Sequence, residues 1–98
     1  MKLIYLLDWI ETFDDEYALY ASSNRGVNEN SEAIAIKSHY ISGTEIPEGM
    51  KYLIDVELAK EILIVWSDWR QGRKPSSHEK YQAIQYYLEN DAYLPNET

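Results

Sequence analysis

The ten residues RQGRKPSSHE (70–79) constrain this chain more than any other stretch, because they stop one helix and start another. Gly72 offers the left-handed backbone on which helices commonly end, and Pro75 cannot continue one. Arg70, Arg73 and Lys74 put positive charge beside a helix C-terminus, which is partly negative. Ser76 and Glu79 have the spacing of a capping box, in which hydroxyl and carboxylate each bond the other residue's amide. The apolar segment VELAKEILIVWSDWRQ is therefore expected to be one helix (about 56–71), with Asp55 as its N-cap. A second helix is expected over about 77–90, with Tyr81, Ile84, Tyr87 and Leu88 on one face. Asn90 or Asp91 ends it, and Pro95 prevents its resumption.

Upstream, Leu3, Leu6, Leu7, Ile10 and Phe13 recur at helical spacing and predict an N-terminal helix over about 2–13. A rival reading makes Met1–Leu7 a strand with Asp8 as an N-cap, but the continuous stripe favours the helix. YALYAS (17–22) reads as a short strand, and EAIAIKSHYI (32–41) alternates like a second one. The polar, Asn-rich segment between them makes an antiparallel hairpin. SGTEIPEG (42–49) is a loop, broken by Pro47 and Gly49, and MKYLI (50–54) is a third strand. The expected fold is α+β: an N-terminal helix, a small antiparallel sheet of about three strands and two C-terminal helices in a single domain, 1–98.

Several kinds of chemistry are excluded or disfavoured. No cysteine is present, which rules out disulfides, thiolate metal sites and cysteine nucleophiles, and fits a reducing cytoplasm. The opening MKLIYLLDWIETFDD has early acids and no long apolar run, so neither a signal peptide nor a membrane span is expected. Seventeen acids against nine bases give a net charge of −8, which opposes nucleic acid and anionic lipid. The consecutive Asp14, Asp15 and Glu16 diverge on any regular backbone and lack the glycine of a calcium loop, so no metal or other cofactor is expected. His39 and His78 lie far apart, no G-x-S-x-G elbow occurs, and the four glycines never have phosphate-cradle spacing. An enzyme is not expected. The bases of 69–80 suit a helix end better than a nucleic-acid patch.

One concentration of charge remains. LLDWIETFDDEYALY (6–20) holds Asp8, Glu11, Asp14, Asp15 and Glu16 with no base among them. Most of these lie at or beyond the C-terminal end of the first helix, where negative charge is unfavourable. Tyr5, Asp8, Trp9 and Thr12 form a separate row facing away from the leucine stripe. Aromatic residues among acids on an exposed face suit a protein-binding surface. The candidate partner-binding residues are Tyr5, Asp8, Trp9, Glu11, Asp14, Asp15 and Glu16, and the expected partner is a basic protein. The competing reading is a solubilising surface.

The segment Tyr86-Tyr87-Leu88-Glu89-Asn90-Asp91-Ala92-Tyr93 resembles the ending of a small, uncharacterised bacterial domain family with a Y-Y-x-x-N-D-A-aromatic signature. That family has an N-terminal amphipathic helix, a short strand region and two closing helices. Its members look like the single-domain immunity proteins that accompany bacterial toxins, including contact-dependent growth inhibition systems. The resemblance implies a protein that neutralises a cognate toxin by binding it, and it brings no catalytic residue; a cytoplasmic monomer is expected. The alternative is an acidic adaptor, or a nucleic-acid mimic that blocks a DNA- or RNA-binding protein.

Overall fold

Residues 1–23, 26–37 and 46–96 are described in a computed structural model of the chain. Two helices lie on one face of a three-stranded sheet, and a third packs against those two. They are α1 (Leu3–Asp8), followed by a 3-10 turn at Ile10–Thr12, then α2 (Val56–Asp68) and α3 (Ser77–Asn90); the strands are β1 (Tyr17–Ser22), β2 (Ala33–Lys37) and β3 (Met50–Asp55). The sheet order is β2-β1-β3, antiparallel throughout. The fold is α+β, as the hydrophobic periodicities imply. Residues 38–41 of the expected second strand, with His39, lie outside the described residues, as does part of the loop after it.

The core forms where α1 and α2 press onto the inner face of the sheet and α3 closes against both helices. Leu7, Ile10, Leu19, Ile62 and Ile54 are almost wholly enclosed, with Trp66 and Ile84 beside them. Each such side chain removed from water contributes roughly 1.5–3 kcal/mol, which makes this cluster the main source of cohesion. On β2 the small Ala33 and Ala35 face the helices, and Ile34 and Ile36 face outward. The alanines let the N-terminal segment approach closely. Leu3 and Ile4 donate backbone hydrogen bonds to Ser31 O (2.8 Å) and Glu29 O (2.9 Å), and Ala33 donates to Met1 O (2.8 Å). Strand character at the N-terminus is limited to an isolated Lys2–Glu32 bridge.

Opposite β1, strand β3 carries one extra residue: Leu19 faces Ile54, while Tyr20 faces Tyr52. Leu53 is thus a β-bulge, and the local bend lets both Leu53 and Ile54 reach the core. On the outer face Tyr20 is buried and meets Tyr52 edge-on, with centroids 5.9 Å apart.

Three boundaries differ from expectation, each for a local reason. The expected single helix over 2–13 changes winding at Trp9. There Thr12 donates from both its amide (2.9 Å) and its hydroxyl (2.6 Å) to Trp9 O, tightening the next turn to i→i+3 bonds. Three residues per turn keeps Ile10 and Phe13 on the same inward line. Helix α2 ends at Asp68, three residues early, because Ser67 gathers the chain. Its carbonyl accepts from Arg70 (3.0 Å) and Gly72 (2.8 Å), and its hydroxyl donates to Arg73 O (2.8 Å). Gln71 as well as Gly72 then takes positive φ. Asp55 holds the N-cap position of α2, but its side chain makes no capping bond; partial burial, and then the nearby Asp55 carboxylate, push the Tyr52 hydroxyl above its ordinary pKa.

Helix α3 has the expected bounds. The Glu79 amide donates to Ser76 Oγ (3.2 Å), and the Ser76 amide donates to Glu79 Oε1 (3.0 Å). Arg73 adds two parallel bonds to the same carboxylate, at 3.1 and 2.9 Å. These bonds, Arg73 first and then the Ser76 amide, hold the Glu79 carboxyl down from its ordinary 4.5 to about 2. Because the folded value is depressed, this stabilisation is full above the unfolded value and is lost as pH falls towards 2. Glu79→Gln should therefore lower stability at neutral pH and flatten its decline between about pH 5 and 2. Urea midpoints across that range test this; parallel pH profiles for the two proteins would contradict it. At the far end of α3, Asp91 takes a left-handed conformation (φ 52°) and donates to Tyr87 O at 2.7 Å. Asp accepts this geometry more readily than most residues.

Candidate functional site

The acidic segment is distributed over three elements, and bases distant in sequence answer much of it. Asp8 does not belong to the outward row. It turns towards the first turn of α3, where Ser77 Oγ donates to both its oxygens at 2.7 Å and Lys80 Nζ lies at 3.6 Å. The partly positive end of α3 favours it there, so Asp8 fastens α1 to α3. Asp15 pairs with Lys60 at 3.0 Å, and the same ammonium donates to Phe13 O at 2.6 Å. Glu16 approaches Lys37 at 3.6 Å. The segment itself holds no base, but Lys60, Lys80 and Lys37 reach it from elsewhere in the fold. Among the described residues, Glu11 and Asp14 keep no ion-pair partner.

Tyr5 and Trp9 stand apart from this pairing. Each is 55% exposed, one helical turn apart on α1 and its C-cap. The inward stripe of α1 is consumed by the core, so these two rings project where no part of the described chain covers them. Glu11, two residues beyond Trp9, leads to a groove. Its walls are the 3-10 turn, α2 and the connection 72–75, and it encloses about 580 Å³. Leu63, Ile64 and Pro75 supply its apolar surface, and Lys60, Lys74, Lys80 and Glu11 its charged edge.

The groove was not foreseen from the sequence, although one signal for it was available. Val56, Ala59, Ile62, Leu63 and Trp66 complete the buried face of α2. Ile64 falls outside that spacing, and it is 60% exposed. The converging lysines had no such signal.

The basic run 69–80 has structural duties. The guanidinium carbons of Arg70 and Arg73 lie 4.3 and 4.7 Å from the centroid of the Trp66 ring, within cation–π range. Arg70 also donates to Trp66 O (3.0 Å) and Pro95 O (3.0 Å), tying the C-terminal residues to α2. Only Lys74 of this run faces the groove without an ion-pair partner among the described residues. No group of three or more His, Asp or Glu residues able to hold a metal ion occurs among the described residues. No described helix is long and apolar enough to cross a membrane.

The arrangement offers exposed aromatic anchors, two uncommitted carboxylates and an adjoining groove, all on or beside the first fifteen residues. No curated protein and no solved structure matches the chain. A family model described as a domain of unknown function (DUF7716) matches residues 1–96, and the chain belongs to that family.

Proposed function

We propose that this chain is an immunity-type protein that acts in the cytoplasm, as a monomer, by binding a basic toxin and covering its active surface. The observation that carries this reading is the pair Tyr5 and Trp9, each 55% exposed, beside Glu11 and Asp14. Large amphipathic rings with few rotatable bonds make effective interface anchors, and uncommitted carboxylates steer a cationic partner towards them. Asp8, Asp15 and Glu16 contribute to the field while also holding the fold or its neighbouring strand together. The resemblance of Tyr86–Tyr93 to the ending of a small bacterial domain family whose members look like immunity proteins is in line with the same reading. Tyr93 packs on Tyr87 and Trp69 (centroids 5.4 and 5.9 Å apart), a folding role that leaves recognition to other residues.

The test is co-purification with the product of the gene immediately upstream, followed by binding kinetics at two ionic strengths. Trp9→Ala should raise the dissociation rate by about 30-fold, the effect of an anchor worth ~2 kcal/mol. Glu11→Lys with Asp14→Lys should slow association and reduce its salt dependence. None of these substitutions removes an ion pair within the described fold, so circular dichroism should be unchanged. A folded triple variant that binds as fast and as tightly as wild type would remove this face from the interface.

A further inference from the structure

We propose that the groove between the 3-10 turn, α2 and residues 72–75 binds a small aliphatic monocarboxylate. This goes beyond the protein-binding reading and does not depend on it. The volume of about 580 Å³ lies within the roughly 300–1,000 Å³ of small-molecule sites. Leu63 and Pro75 line the groove with Ile64, whose side chain is 60% exposed on a helix that buries Val56, Ile62 and Leu63. A hydrocarbon chain laid along them would remove that surface from water.

The charge argument concerns the sign of the head group. Only nine bases occur in a chain with seventeen acids, yet three of the nine, Lys60, Lys74 and Lys80, line this one groove. Lys60 and Lys80 are already paired with Asp15 and Asp8, which do not line the groove, so neither adds a free charge to it. Lys74 has no ion-pair partner among the described residues and is the primary contact for an incoming carboxylate. Glu11 is the one acid in the lining, and it disfavours a second carboxylate on the same ligand. The site therefore selects a monoanion with an aliphatic tail over a dianion or a cation of equal length.

The probe is sodium decanoate below its micellar concentration, titrated into the full chain and followed by calorimetry and by amide chemical shifts. Saturable binding is expected, with the largest shifts at Ile64, Ser67, Gly72 and Lys74. Decyltrimethylammonium and decanedioate should each bind about fivefold more weakly or worse, the scale of one surface ion pair. Lys74→Glu should weaken decanoate by about fivefold or more, since it replaces an attraction with a repulsion. Ile64→Ser should weaken decanoate and decyltrimethylammonium alike. Both side chains are exposed, so both variants should fold. Absence of saturation, equal binding of the decyl cation, unchanged affinity in Lys74→Glu, or shifts centred on Tyr5 and Trp9 would each overturn the proposal. The partner kinetics of Trp9→Ala are read separately, so either proposal can fail alone.

Discussion

Trp66→Ala should remove about 3–5 kcal/mol of stability, the usual effect of truncating a buried aromatic to a methyl. Trp66 is 3% exposed and belongs to the central cluster. Its loss does more than open a cavity. Arg70 and Arg73 both lie over its ring, and Arg70 carries the bonds to Leu94 and Pro95 that secure the C-terminal residues. Small domains hold about 5–15 kcal/mol in total, so this one change consumes a large share. Urea denaturation followed by far-ultraviolet circular dichroism gives the measurement. Trp66→Phe separates the two contributions: it keeps a ring under the guanidinium groups and should cost less. A loss below about 1.5 kcal/mol for Trp66→Ala would mean that neighbouring side chains refill the space.

Leu7→Ala should cost about 2–5 kcal/mol and should loosen α1 ahead of the rest of the molecule. Leu7 has no exposed surface, and α1 has six residues. An isolated helix of that length is not stable in water, so tertiary contacts such as this one supply what its own hydrogen bonds do not. Beyond the global midpoint, amide exchange in residues 3–9 should accelerate more than exchange in α2 or α3. Because Tyr5 and Trp9 ride on α1, the same variant should weaken partner binding without altering either ring. Uniform acceleration across all three helices would show instead that α1 opens only with the whole domain.

The parts of the fold legible in the sequence are those written in adjacent residues. The capping box of Ser76 and Glu79 marks the start of α3, since three-residue spacing holds all the information that start requires. Strand β1 was likewise readable at full length, and the buried stripe of α1 was identified residue for residue up to Ile10. The change of winding at Trp9 was not, because the same apolar residues suit an α turn and a 3-10 turn equally. Nor was the neutralisation of the acidic segment. Asp15 meets Lys60 across 45 positions, and Asp8 meets Ser77 across 69, so no local window contains both partners. The candidate site was legible in its exposed aromatics and obscured in its charges for that same reason. Exposure follows from helical spacing; pairing follows from how separate elements pack.

The junction of β3 and α2 carries a consequence for how this chain can change in length. Asp55 is the last residue of the strand and Val56 the first of the helix, with nothing between them. One inserted residue there would turn α2 by about 100° relative to the sheet, since 3.6 residues complete a turn. Leu63 would move to the exposed place of Ile64 and Trp66 to the edge of the buried face, while Glu61 would be driven into the buried place of Ile62. No slack exists nearby to absorb the rotation, because the bulge at Leu53 is already committed to bringing two consecutive side chains inward. Insertions and deletions among relatives should therefore avoid positions 50–68 and gather in the connections, with 72–75 able to lengthen only by reshaping the groove it walls.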